Sequence, residues 1–69
     1  MRIDRLTPRE KEILPYIIAG FLNKQIAFKL EIAEKTIKVH RGHIMEKLDV
    51  DSVAELVRFA DKANIKPFE

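Results

Sequence analysis

The stretch from Asn23 to Leu48, NKQIAFKLEIAEKTIKVHRGHIMEKL, limits what this chain can fold into more than any other. Apolar residues recur in it at helical spacing twice, first as Ile26, Ala27 and Leu30, then as Ile37, Ile44 and Leu48. Each run has the period of a helix that buries one stripe. Only Glu31-Ile32-Ala33 lies between them, so the two helices must turn sharply and pack on each other, with Ile32 placed to plug the angle.

The flanking segments supply two more helices. Thr7-Pro8-Arg9-Glu10 is a helix start, with Thr7 as cap, Pro8 at the first helical position and Glu10 completing a capping box. Ile13, Leu14, Ile17 and Ile18 follow as one stripe, and Gly20 is a natural stop. Pro15 deletes one hydrogen bond, which predicts a kink within a single helix. Asn23 is read as the cap of the second helix. Ser52-Val53-Ala54-Glu55 repeats the capping-box pattern, and a fourth helix runs to about Ala63 with Val53, Leu56, Val57 and Ala60 inward. Leu56, Phe59 and Ala63 line one side of it and are the candidates for a dimer contact. Residues 1–6 read as a lead-in or linker end and 64–69 as a frayed tail. No strand pattern or repeat occurs, so the expectation is one all-α, four-helix domain over residues 1–69 with helices two and three as a helix-turn-helix.

Composition removes several function classes. The 69 residues include no cysteine, so neither disulfides nor a thiolate zinc site can staple the fold. A chain of this size has one small core and depends on helix packing or a partner subunit. No apolar run approaches the roughly 20 residues of a membrane span, and Met-Arg-Ile-Asp does not begin a signal peptide, so a cytoplasmic location is expected. His40, His43 and Glu46 are spaced one helical turn apart, but their side chains fan across the helix, and no metal site is expected. No nucleophile–base pair is present, Ser52 is better used as a cap, and no enzyme activity or cofactor is expected.

Charge separates along the chain. Residues 23–48 carry six basic and three acidic side chains, whereas residues 49–69 carry three and five. On the third helix, about Glu34 to Leu48, the face opposite the apolar stripe gathers Lys35, Lys38, Val39, Gly42 and Glu46, with Thr36, His43 and Lys47 along one flank. Lysines around a bare glycine and a valine allow another surface to approach closely. Val39 can offer methyl contact to a thymine, and Lys38 can reach guanine acceptors or a phosphate. Lys24 opposes the dipole of the second helix in its first turn, a conflict that a phosphate would relieve. Double-stranded DNA is therefore the expected partner, with the third helix in the major groove.

The same residues resemble the LuxR-type (GerE-like) DNA-binding domain that ends many bacterial transcription regulators, including NarL/FixJ-type response regulators. The likeness is carried by Leu6-Thr7-Pro8-Arg9-Glu10, Glu12-Ile13-Leu14, Gly20, Asn23-Lys24-Gln25-Ile26-Ala27, Leu30, Ile32, Thr36-Ile37-Lys38-Val39-His40 and Lys47-Leu48. The run Val39 to Leu48, followed by Ser52 to Arg58, is most similar to the FixJ branch. The resemblance implies that Lys38, Val39 and Gly42 face bases or the groove, and that Asn23, Lys24, Thr36 and His40 lie near the DNA backbone, with His43 beside them. It also implies a homodimer on an inverted repeat, joined through the fourth helix, and either a domain excised from a longer regulator, the favoured expectation, or a complete single-domain regulator.

Four positions depart from the pattern. Glu31 and Asp49 stand where similar domains often carry glycine, Ala33 replaces a Ser or Thr cap, and Asp51 replaces a commonly basic residue. The rival reading is a helical interaction module that binds a protein such as RNA polymerase or another regulator and has lost DNA binding.

Overall fold

The computed structural model describes residues 2–68. They form a 3-10 turn at Arg2–Arg5 and four helices, α1 Pro8–Ile18, α2 Asn23–Leu30, α3 Glu34–Lys47 and α4 Val53–Lys62. The start of α1 follows from its sequence: Thr7 Oγ1 accepts from the Glu10 N–H at 3.2 Å, and Glu10 Oε1 accepts from the Thr7 N–H at 2.8 Å. Ser52 caps α4 with one half of that arrangement, its Oγ accepting from the Glu55 N–H at 3.1 Å without the return bond expected of a full capping box. Pro15 stays inside one continuous helix, as expected.

All four helices end by one device. Gly20, Glu31, Asp49 and Asn64 take positive φ, at 91°, 56°, 56° and 61°. The N–H of the next residue then reaches back into the last turn: Phe21 to the Tyr16 carbonyl, Ile32 to Ala27, Val50 to Met45 and Ile65 to Ala60, at 2.8–3.1 Å. The apolar residue delivered this way folds over the helix end, with Val50 buried and Phe21, Ile32 and Ile65 packed against the core.

That core is Leu6, Ile13, Leu14, Ile17, Ile26, Ile37, Ile44, Leu48 and Leu56, closed by Ala27, Val50 and Ala60. Helix α3 packs against both α2 and α1, and α1 packs against α4. One side of α3 is thereby fixed by two neighbours, and its other side is left open.

Five expectations are corrected, the last being that Val53 and Val57 face inward. The lead-in is not loose, because Leu6 is buried in the core and Arg5 Nη1 donates to the Lys47 carbonyl at 3.4 Å. The tail is not frayed as far as Phe68, whose ring stacks on Tyr16 at 4.3 Å and meets Phe21 edge-on at 5.7 Å. The Phe68 N–H also donates to the Pro15 carbonyl at 3.0 Å; Met1 and Glu69 lie outside the described residues. Asn23 is the first residue of α2 and not its cap; the cap position falls to Leu22, whose N–H donates to Gln25 Oε1 at 2.7 Å. Leu56 has no exposed surface and belongs to this chain's own core, so it cannot be a dimer contact. Phe59 and Ala63 are half-buried beside it, and the apolar side chains that α4 turns outward are Val53 and Val57, 40% and 42% exposed.

Candidate nucleic-acid interface

Ile37, Ile44 and Leu48 hold α3 in the core, and the opposite side of that helix presents Lys35, Lys38, Val39, Gly42 and Glu46 to solvent. Val39 is 54% exposed, an apolar side chain on a charged face. Lys35 and Lys38 make no ion pair or hydrogen bond with another described residue, so both ammonium groups are available. A Cβ at Gly42 would meet nothing within 4 Å. Glycine inside a helix costs about 1 kcal/mol against alanine, and here neither packing nor backbone geometry requires it. The fold gives no reason for Gly42.

The flanks are built from both helices of the pair. Asn23 and Thr36 are half-buried, and Lys24 is exposed without a partner among the described residues. Because Leu22 offers no side-chain acceptor, the N–H groups of the first turn of α2 point out of the helix end uncapped. Helix α3 begins in the same condition: Ala33 has the extended cap conformation, φ −66° and ψ 144°, but no side-chain acceptor. His40 is half-buried, and its Nδ1 is buried with no hydrogen-bond partner among the described residues.

Two contacts that set the position of α3 were not legible in sequence. Glu10, 2% exposed, reaches from α1 to the end of α3, where Lys47 Nζ donates to Oε1 at 2.8 Å. His43 Nδ1 lies 3.9 Å from the other oxygen, so His43 is turned toward α1 although half its side chain is exposed. Burial pushes the Glu10 carboxyl up, but the hydrogen bonds from Lys47 and Thr7 and the Lys47 charge outweigh it and hold the group below its ordinary value. The second contact joins the helix pair, with Arg41 Nη1 donating to Asn23 Oδ1 at 3.0 Å. The capping-box spacing does identify Glu10, but its partner 37 residues on is visible only in three dimensions.

Among the described residues no group of three His, Asp or Glu side chains is arranged to hold a metal ion, and no helix is long and apolar enough to cross a membrane.

A sharply joined helix pair, with the second helix buried on one side and open, basic and glycine-notched on the other, defines a helix-turn-helix of the DNA-reading kind. Residues 4–60 match the family described as bacterial regulatory proteins, luxR family. The chain belongs to that family, and its fold is the DNA-binding domain of transcription regulators. It is 48% identical over 59 residues to the response regulator protein TmoT of Ectopseudomonas mendocina, covering 86% of this chain and 27% of that protein. It is 49% identical over 63 residues to the oxygen regulatory protein NreC of Staphylococcus haemolyticus, covering 91% of this chain and 29% of that protein. The crystal structure of full-length FixJ from B. japonicum superposes with a TM-score of 0.83 at 41% identity, covering 93% of this chain and 32% of FixJ. The chain thus spans less than a third of the length of the relatives it matches.

Proposed function

We propose that this domain is the output module of a cytoplasmic bacterial response regulator and reads duplex DNA with α3 in the major groove. The observation that carries the reading is the exposed side of α3, where Lys35 and Lys38, unpaired among the described residues, flank Val39 and a glycine that packing does not require. Lys38 and Lys35 reach guanine acceptors or phosphates, Val39 meets a thymine methyl, and Gly42 lets the helix sit close to the groove floor. Asn23, Lys24, Thr36 and His40 face the sugar–phosphate backbone and set orientation, with His43, turned toward α1, at the edge of that group. The uncapped first turns of α2 and α3 add N–H donors toward the phosphates.

Two copies occupy an inverted repeat, meeting through the outward side of α4 at Val53 and Val57. A further contact, with RNA polymerase, is supported by Phe28, which is 85% exposed on α2 beside Lys24, Lys29 and Phe68. Phe28→Ser should keep DNA affinity and lose polymerase recruitment on the same duplex; unchanged recruitment removes that contact.

The test of the main reading is Lys38→Ala on a duplex enriched from a random pool by the wild-type chain. The expected loss is about 1–3 kcal/mol on that duplex and much less on a scrambled one. If neither duplex registers the substitution, α3 is not the groove helix.

A further inference from the structure

Phosphate contacts made by α2 can orient α3 only if the two helices hold a fixed relation at the protein–DNA surface. Core packing at Ile26 and Ile37 provides this on the buried side. On the outer side the hydrogen bond from Arg41 Nη1 to Asn23 Oδ1 does so, between half-buried side chains 18 residues apart.

Three features show that this bond does more than decorate the surface. Asparagine at a helix start ordinarily caps, but Asn23 sits one position too late, inside the first turn, so its side chain is released from that role. Its carbonyl oxygen is occupied by a guanidinium, which settles the amide orientation: the flipped rotamer would set Nδ2–H groups against Arg41 donors. Both Nδ2 hydrogens are thereby left as donors. The guanidinium also stands beside the positive end of α2, together with Lys24 in the same turn, an arrangement unfavourable in the free domain and relieved by an arriving anion.

We propose that Arg41 is a positioning residue for DNA recognition. It locks the Asn23 amide so that Nδ2 donates to a backbone phosphate, and it ties that anchored helix end to the reading helix. The inference rests on the reading of Asn23 as a phosphate contact.

A double-mutant cycle tests it. Wild type, Arg41→Met, Asn23→Ala and the double variant are titrated by fluorescence anisotropy against the duplex enriched by the wild-type chain and against a scrambled duplex. Melting curves accompany the titrations, and the Asn23 side-chain amide signals are followed by NMR in the free domain. Arg41→Met should weaken binding to the enriched duplex about tenfold in the wild-type background and less than about twofold once Asn23 is alanine. It should also shift the Asn23 Nδ2 signals and weaken binding to the scrambled duplex by a smaller factor, since the phosphate contact is sequence-independent while the register it sets is not. Arg41→Lys, which keeps the charge and one donor, should restore part of the loss. If Asn23→Ala leaves affinity unchanged, the phosphate reading of Asn23 fails and the inference goes with it. If Asn23→Ala weakens binding while Arg41→Met costs the same in both backgrounds, Asn23 stands as a contact and the positioning role of Arg41 is overturned. A loss that tracks a lowered melting point in every variant, Arg41→Lys included, equally overturns it, since the effect is then on folding alone.

Discussion

Glu10 joins the start of α1 to the end of α3, and Glu10→Gln isolates the charge in that joint. Glutamine keeps a carbonyl that can accept the Thr7 N–H, so the capping box survives in form. What is lost is the carboxylate that Lys47 Nζ meets at 2.8 Å. A hydrogen bond between charged partners contributes about 1.5–3 kcal/mol. Glu10 is 2% exposed but the Lys47 side chain is 32% exposed, so water recovers part of the lysine's solvation and the lower end applies. The expected destabilisation is about 1–2 kcal/mol, a fall in Tm of roughly 5–15 °C for a domain of this size. Glu10→Ala also removes the box and should cost about 1 kcal/mol more. The pH arm has a definite sign. The folded-state carboxyl titrates below its ordinary value, so its stabilisation is complete above the unfolded-state value and drains away as pH falls through the folded one. Thermal melts from neutral to acid pH should therefore converge, wild type losing more stability than Glu10→Gln as the carboxyl protonates. Parallel curves across the acid range, or equal Tm at neutral pH, would refute the argument.

Glu31 holds φ 56° and Ala33 is a cap without an acceptor, so Glu31→Gly and Ala33→Ser should each stabilise by about 1 kcal/mol in urea melts; a loss in either case contradicts the turn geometry. Gly42→Ala should raise stability by about 0.5–1 kcal/mol while weakening binding to an enriched duplex, because the helix gains and the groove loses clearance; improved or unchanged binding would leave the glycine unexplained. Val57→Asp should abolish cooperative occupation of an inverted repeat and leave binding to a single half-site intact, measured by gel shift; retained cooperativity would take the dimer contact off this side of α4.

What was legible followed from local chemistry. The Thr7–Glu10 box, the Ser52 cap, the stripe of Ile13, Leu14 and Ile17, and the brief Glu31-Ile32-Ala33 break are written in neighbouring residues, and the helices begin and end where these signals place them. Glu31 and Asp49 stand where similar chains often carry glycine, a cue that fits the left-handed turn each makes; Asn64 makes the same turn and gave no such cue. The misses are tertiary. Phe68 is three residues past Ile65 with no periodicity of its own, and only the folded Tyr16–Phe21 surface gives its ring a place. On α4 the sequence wheel placed Val53 and Val57 inward, but both are turned out, 40% and 42% exposed, while Phe59, about 200° round the helix from Val57, packs against the core. Lys47 read as a flank lysine until Glu10 arrived from the other end of the chain.

The central claim, that the open side of α3 is the DNA-reading surface, is tested most directly by amide chemical-shift mapping. The isotope-labelled chain would be titrated with a duplex enriched from a random pool, at moderate salt. The largest perturbations should fall on Lys35, Lys38, Val39 and Gly42, with a second group at Asn23, Lys24 and Thr36 and little change at Val53, Val57 or Phe68 before dimer contacts form. Perturbations confined to α4 or to the aromatic tail, with Lys35 to Gly42 unmoved, would contradict it.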